Sequence, residues 1–277
     1  MPIPSPNEID TVIYHANCAD GFGAAYVAWR HLGANASYLP WHHGDPPPDV
    51  EGKNVLIVDF SFSKSDIIKM NSCANSLVVL DHHISAKKNL KGLSYAIIDV
   101  TRSGAMMAWD FFYENCAAPL LIQYIQDRDL WRWSLEESRE FSAGLNTVPF
   151  DFNAYASLEG EAAVAELIEK GKAILEHIDA EVYYACKGST RKRFLGYDVA
   201  IVNSRNYKSE IGSRLSKECD FALIWHCDQY SSISISLRAQ ENSVDVSEVA
   251  SKFGGGGHSC AAGFRVDDLS FLSMLLD

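Results

Sequence analysis

The chain has 277 residues, 47% of them hydrophobic, and a formal net charge of −12, enough apolar mass for one large or two modest cores. No apolar run approaches the roughly 18–20 residues that a membrane-spanning helix needs, so no membrane partner is expected. The acidity argues against a surface that tracks long nucleic acid, which takes clustered cations to displace counterions, but a short anion held by metals and a few local cations is compatible with it. The seven cysteines (18, 73, 116, 186, 219, 227 and 260) are scattered, odd in number and without a CxxC pair. That pattern predicts reduced thiols in a cytoplasm, not a disulfide framework or a structural zinc site. The first ten residues contain three prolines, two acids and no basic cluster, unlike a secretory signal.

Thr11–Tyr14 predicts a short strand that runs into His15-Ala16-Asn17-Cys18-Ala19-Asp20-Gly21. A helix rich in small residues follows, from about Phe22 to Leu32. His15, Cys18 and Asp20 therefore stand at a strand-to-helix turn, where open α/β sheets place their ligands; Asp20 is either a ligand or the helix cap. Ser37–Leu39 reads as a second strand. His42 and His43 lie in a proline-rich stretch and read as loop residues.

Val55–Val58 is a continuous apolar run ending in Asp59, as in a buried parallel strand. A helix is expected to begin near Lys64. Leu77–Leu80 repeats the pattern and ends in Asp81-His82-His83, one carboxylate and two imidazoles that can serve as metal or phosphate ligands. Two strands with such endings favour a shared site over two independent caps. Tyr95–Ile98 predicts another strand, followed by Arg102-Ser103-Gly104 and an apolar helix through Trp109 and Phe112. A further helix, from about Leu120 to Ile125, leads to Asp127-Arg128-Asp129, where one aspartate faces inward or both form surface pairs with Arg128 and Arg132.

Residues 133–153 show no strong period and read as a connecting region. Glu159–Tyr184 reads as one long helix. Beyond it, Val199–Val202, Phe221–Trp225 and Ile233–Leu237 are strand-like, with a helix over Ser209–Lys217. Gly254-Gly255-Gly256-Gly257-His258 sits between a helical pattern (Val246, Val249, Phe253) and the strand-like Ala261–Phe264. This context suits a loop inside a folded unit, whose glycines let backbone N–H groups approach a phosphate, better than a flexible tether. Arg205 and Arg238 are candidate cations beside such an anion. The expected architecture is α/β: a parallel-sheet domain over 1–135 that carries the metal site, a connecting region with the long helix over 136–190, and a smaller α/β domain over 191–277.

Asp81-His82-His83, with His15, Asp20-Gly21, Asp59 and Asp127, resembles the DHH phosphoesterase superfamily. GGGGH ending at His258, preceded by Ser236-Leu237-Arg238, is similar to that superfamily's associated C-terminal domain, subtype 1. The resemblance covers nearly the whole chain, and its motif order is specific although each motif alone is not. It implies two Mn²⁺ ions, other divalent metals being compatible, with Asp59 bridging. One ion would take His15; the other would take Asp20, His82 and Asp127, motif order favouring Asp127 over Asp129. His83 would contact the scissile phosphate and Asp81 would orient an imidazole. GGGGH (Gly255, Gly256, Gly257, His258) and Arg238 would hold the far phosphate or nucleotide, with Arg102 and Ser103 as weaker candidates.

Relatives mostly carry Asp-x-Asp where this chain has Cys18-Ala19-Asp20. Cys18 therefore ligates a metal, is replaced by a nearby group, or leaves that metal weakly held; a thiolate prefers softer ions than Mn²⁺. The implied activity is hydrolysis of short oligoribonucleotides or linear dinucleotides to nucleoside 5′-monophosphates. The alternatives are a cyclic mono- or dinucleotide phosphodiesterase, a phosphoadenosine phosphatase, and a weakly active nucleotide-binding protein. The implied assembly is a homodimer.

Overall fold

The computed structural model describes residues 3–227, 232–267 and 271. They form two units, Met1–Leu175 and Glu176–Asp277.

The first unit is built on a parallel sheet of β1 (Thr11–His15), β2 (Ser37–Trp41), β3 (Asn54–Val58), β4 (Ser76–Asp81) and β5 (Ala96–Ile98), in the order β2-β1-β3-β4-β5. Successive strand side chains point to opposite faces. Val12, Tyr14, Leu56, Val58, Val78 and Leu80 enter one core, whereas Ile13, Val55, Ile57, Leu77 and Val79 enter the other. That is why the central strands are apolar without alternation: both faces are covered. The helices α1 (Ala19–Leu32), α4 (Gly104–Phe112) and α5 (Leu120–Asp129) supply the first core. On the other face, α2 (Lys64–Cys73) contributes Ile67 and Met70. A short helix, α3 (Ile84–Asn89), follows β4.

The stretch read as a connecting region belongs to this first core. It folds into α6 (Ser138–Leu145) and α7 (Phe152–Ala156), whose Phe141, Leu145 and Tyr155 are buried there. Phe141 stacks on Tyr124 with ring centroids 4.4 Å apart. Glycines allow the close crossing with α8 (Glu161–Lys187): a Cβ on Gly171 would collide with the Glu140 carbonyl, and one on Gly144 with that of Leu167. The helix α8 spans the division between the units. Among the described residues, no helix is long and apolar enough to cross a membrane.

The second unit carries a mixed sheet of β6 (Thr190–Phe194), β7 (Tyr197–Asn203), β8 (Phe221–Cys227), β9 (Ile233–Arg238), β10 (Gly256–Gly257) and β11 (Ala261–Val266), in the order β10-β11-β9-β8-β7-β6. Only β7 and β8 pair in parallel, and α9 (Lys208–Leu215) joins them. The Ile-Ser-Ile-Ser-Leu-Arg alternation of β9 follows its alternating burial. Its apolar residues meet Val246, Val249 and Ala250 of α10 (Val246–Ser251) in the core. The tetraglycine is a built element: Gly256 and Gly257 pair antiparallel with Gly263 and Ala262, and His258 and Ala261 close the hairpin through mutual backbone bonds.

Candidate metal centre

Three parallel strands end side by side and deliver His15, Asp59 and Asp81-His82-His83 to one edge of the first sheet. Asp59 follows β3 in the left-handed region, at φ 53°, a conformation uncommon for a side-chain-bearing residue and frequent where function holds it. Two glycines let helices reach this edge. A Cβ on Gly21 would collide with the His15 carbonyl, and one on Gly104 with the Asp59 side chain. The start of α4 thereby meets Asp20, whose carboxylate accepts hydrogen bonds from the Gly104 N–H at 2.6 Å and the Ala105 N–H at 2.9 Å, a placement that favours an anion.

The polar groups so gathered are buried: Asp20 is 2% exposed, Asp59 2%, Asp81 1% and His82 3%. Around His82 Nε2 stand Asp59 Oδ1 at 3.0 Å, Asp129 Oδ2 at 3.6 Å and Asp20 Oδ2 at 3.8 Å. Asp59 Oδ2 turns the other way, towards His15 Nδ1 at 3.4 Å. Both of these atoms are buried and neither has a hydrogen-bond partner. Buried polar atoms are almost always satisfied, so this pair is unusual and fits a cation between them.

The donor atoms of Asp20, Asp59 and His82 lie within 4.8 Å of one another, and so do those of His15, Cys18 and Asp59. Two groups that share Asp59, one of carboxylates and an imidazole and the other of a carboxylate, an imidazole and a sulfur, suit a pair of divalent ions.

The electrostatics are those of a crowded carboxylate site. Burial opposes the charge on Asp59, but the facing imidazole of His15, the hydrogen bond to His82 and the charge of His83 outweigh it and hold its carboxyl well below the usual range. Burial also opposes a charged His82, yet Asp59, Asp129 and Asp20 push it up to about 10. Asp20 is raised well above the usual carboxylate range by burial and by the charges of Asp129 and Asp59. Asp129 is raised by desolvation, and burial with three nearby carboxylates raises the Cys18 thiol. Without cations, the site thus gathers protons to offset its own charge.

Asp81 orients its neighbours. Its Oδ1 accepts from the His82 N–H at 2.7 Å, the His83 N–H at 3.2 Å and His83 Nδ1 at 2.7 Å. The last bond places the His83 proton on Nδ1 and fixes the ring. Burial lowers and Asp81 raises the affinity of His83 for a proton; the carboxylate prevails.

One expected ligand differs. Asp127 is directed away from the cluster: its carboxylate accepts from the Ser134 N–H at 2.9 Å, the Ser134 hydroxyl at 2.5 Å and the Leu135 N–H at 3.3 Å. Asp129 is the aspartate beside His82. Arg102 is engaged by Asp99 at 2.7 Å and Asp110 at 2.6 Å. Ser103 is fully buried and caps α4 by accepting from the Met106 N–H. Neither Arg102 nor Ser103 joins the cluster. His43 is a loop residue, as expected, and its ring packs beside the cluster, 5.1 Å from that of His15, 6.2 Å from that of His83 and 4.6 Å from that of Phe60. Burial, with the charges of His15 and His83, lowers its pKa to about 4, so it stays neutral.

In the second unit, Arg238 donates from Nη2 to the Ser209 hydroxyl at 3.0 Å. It packs on Gly212, where a Cβ would collide with its side chain. The same region holds Lys208, whose pKa is lowered by burial and by the charges of Arg238 and Arg205. Arg205 is exposed. Ala261, at the base of the His258 turn, pairs with Arg238 across the sheet. Lys208 is a cation that the sequence reading missed.

No family model matches the chain. Uncharacterized protein R106 of Acanthamoeba polyphaga mimivirus is 29% identical over 309 residues, covering 97% of this chain and 73% of that protein. Oligoribonuclease NrnB of Bacillus subtilis is 39% identical over 75 residues, 25% of this chain and 18% of NrnB. Among solved structures, RecJ of Thermus thermophilus in complex with Mn²⁺ matches 97% of this chain at a TM-score of 0.57 and 15% identity; the chain spans 51% of that RecJ chain. The chain shares the fold of this RecJ. PggH of Vibrio cholerae, a pGpG-specific phosphodiesterase, matches 96% of this chain and 97% of its own at a TM-score of 0.50 and 13% identity. In this fold Asp81 ends the buried strand β4 and His82-His83 follow it directly.

Proposed function

We propose that the protein is a metal-dependent phosphodiesterase that hydrolyses short oligoribonucleotides or linear dinucleotides to nucleoside 5′-monophosphates. The observation that carries this reading is the arrangement about His82 Nε2, where Asp20, Asp59 and Asp129 converge while the second oxygen of Asp59 turns to His15. The stretch shared with an oligoribonuclease and the likeness in fold to a pGpG-specific phosphodiesterase support a short substrate.

Asp59 would bridge two divalent ions, with His15 and Cys18 on one side and Asp20, His82 and Asp129 on the other. When bound, such a pair, Mn²⁺ in this proposal, would neutralise phosphoryl oxygens and lower the pKa of a water. His83, locked by Asp81, holds a proton for a phosphoryl oxygen. Neutral His43 packs against His15 and His83 and keeps the two rings in place. In the second unit Arg205, Lys208, Arg238 and the His258 hairpin would hold a phosphate, backbone N–H groups at glycines contributing.

The test is a product assay on chelator-stripped protein with pApA, a pentamer, a long RNA, cyclic di-AMP, cyclic AMP and phosphoadenosine phosphate, each with Mn²⁺, Mg²⁺ or no metal. The expected result is Mn²⁺-dependent conversion of pApA and the pentamer to mononucleotides, with the rest slower. Asp59→Ala and His82→Ala should abolish turnover; unchanged rates in both would sink the reading.

A further inference from the structure

The two halves of the centre differ in chemistry. One half gathers oxygen donors about a single imidazole: Asp20, Asp59 and Asp129 around His82. The other offers one imidazole, one carboxylate oxygen and a sulfur: the donor atoms of His15, Cys18 and Asp59 lie within 4.8 Å of one another. Asp59 is common to both, and its two oxygens divide between them, Oδ1 to His82 and Oδ2 towards His15.

An independent sign that the sulfur side is a cation site comes from its other members. Asp59 is 2% exposed, yet its Oδ2 and the facing His15 Nδ1 are buried without a hydrogen-bond partner. Among the described residues no hydrogen bond answers them, and Cys18 stands where its sulfur completes the group.

Donor type decides which ion such a half prefers. Carboxylates suit hard ions such as Mn²⁺ and Mg²⁺, whereas a thiolate with an imidazole selects Zn²⁺, Co²⁺ or Fe²⁺. Mn²⁺ stands lowest in the affinity order of first-row divalent ions, so a sulfur donor widens the gap against it. Three protein donors also leave a coordination position open, as in catalytic zinc sites. We infer that the centre is built from unlike halves: His15, Cys18 and Asp59 bind a thiophilic divalent ion through the Cys18 sulfur, while Asp20, Asp59, His82 and Asp129 take a hard one. The inference rests on the reading of this cluster as a two-metal site and assigns its metals separately.

Cobalt reports thiolate ligation directly, through a near-ultraviolet charge-transfer band that oxygen and nitrogen ligands do not give. Metal-stripped full-length protein would be titrated with Co²⁺, and bound metal counted after desalting. The expected result is a charge-transfer band that saturates with one of two bound equivalents. Cys18→Ser and Cys18→Asp should lose the band, and Cys18→Asp should keep two bound ions. With a single equivalent of Zn²⁺ in an excess of Mn²⁺, the wild type should retain one of each. Cys18→Asp should lower the preference for zinc on the order of tenfold or more.

Stoichiometric Co²⁺ without the band in the wild type would overturn the assignment, whatever the variants do. Hydrolysis without the band overturns the thiolate ligand and leaves the activity standing. The band without hydrolysis of any substrate supports the ligand and overturns the activity. Wild-type protein that binds no cobalt overturns both.

Discussion

Asp127 and Asp129 show how one residue decides a site. Both close α5, and two residues on a helix are separated by about 200°, so only one can face the sheet edge. The periodicity of α5 stops before either of them, and their order in the chain carries no facing information; the structure turns Asp129 to His82 and Asp127 to Ser134. His43 was hidden for a related reason, since nothing in a proline-rich loop says that it folds back over His15. By contrast Asp59 and Asp81-His82-His83 were legible, because charged residues that end buried apolar strands break a pattern that needs an explanation. The two aspartates should separate by experiment. Asp129→Ala should leave the thermal midpoint nearly unchanged but lower Mn²⁺-dependent turnover by more than about a hundredfold, beyond the usual loss of about 10–100-fold for an outer-shell partner, with fewer ions retained on metal analysis. Asp127→Ala strands the donors of Ser134 and Leu135 and should cost about 2–3 kcal/mol in urea unfolding, while the folded enzyme keeps turnover within a few-fold. The reverse pattern would return the ligand role to Asp127.

At the scale of elements, strands and long helices were legible because both cores obey their periods. The helices α6 and α7 were not, since they are short and their burial depends on a crossing with α8 that Gly144 and Gly171 permit. The six-residue α3 was equally silent. Element placement also sets the metal centre, and Gly104 is where α4 meets it. Its backbone needs no left-handed conformation, so alanine there should favour the helix by propensity alone. The added Cβ would instead collide with the Asp59 side chain and lie 3.0 Å from Asp20 Oδ2. Neither neighbour can yield: Asp59 is held by His82, and Asp20 by the N–H groups of Gly104 and Ala105. Gly104→Ala should therefore cost about 1–3 kcal/mol as overpacking and weaken metal binding as well, both readable by calorimetry with and without Mn²⁺. Gly160→Ala, whose Cβ meets nothing within 4 Å, is the matched control. Equal behaviour of the two variants would show that α4 is not seated as described.

For the whole molecule, the question is how a chain of net charge −12 holds a polyanion. A long strand binds by releasing counterions, with a salt slope of about −0.7 per phosphate neutralised on single strands. The cations gathered in the second unit are Arg205, Lys208 and Arg238, and beyond them a long strand would meet a net-acidic molecule. Three phosphates neutralised give a slope of roughly −2, and added nucleotides should bring repulsion instead of further gain. Anisotropy titrations of a metal-free protein with a labelled dinucleotide and a labelled long RNA, over a range of salt, measure this. The expected outcome is a slope of about −2 for the long RNA and about −1.4 or shallower for the dinucleotide, which has at most two phosphates to neutralise, with no gain in affinity once three phosphates are engaged. Substituting Lys208 by Gln should make the slope shallower by about 0.7 without altering the number of ions bound at the Asp59 cluster, since Lys208 belongs to the second unit. A slope steeper than about −5, with affinity climbing as the strand lengthens, would mean that the acidic surface hides a continuous basic track. In that event the substrate would be a polymer, because three local cations cannot release that many counterions.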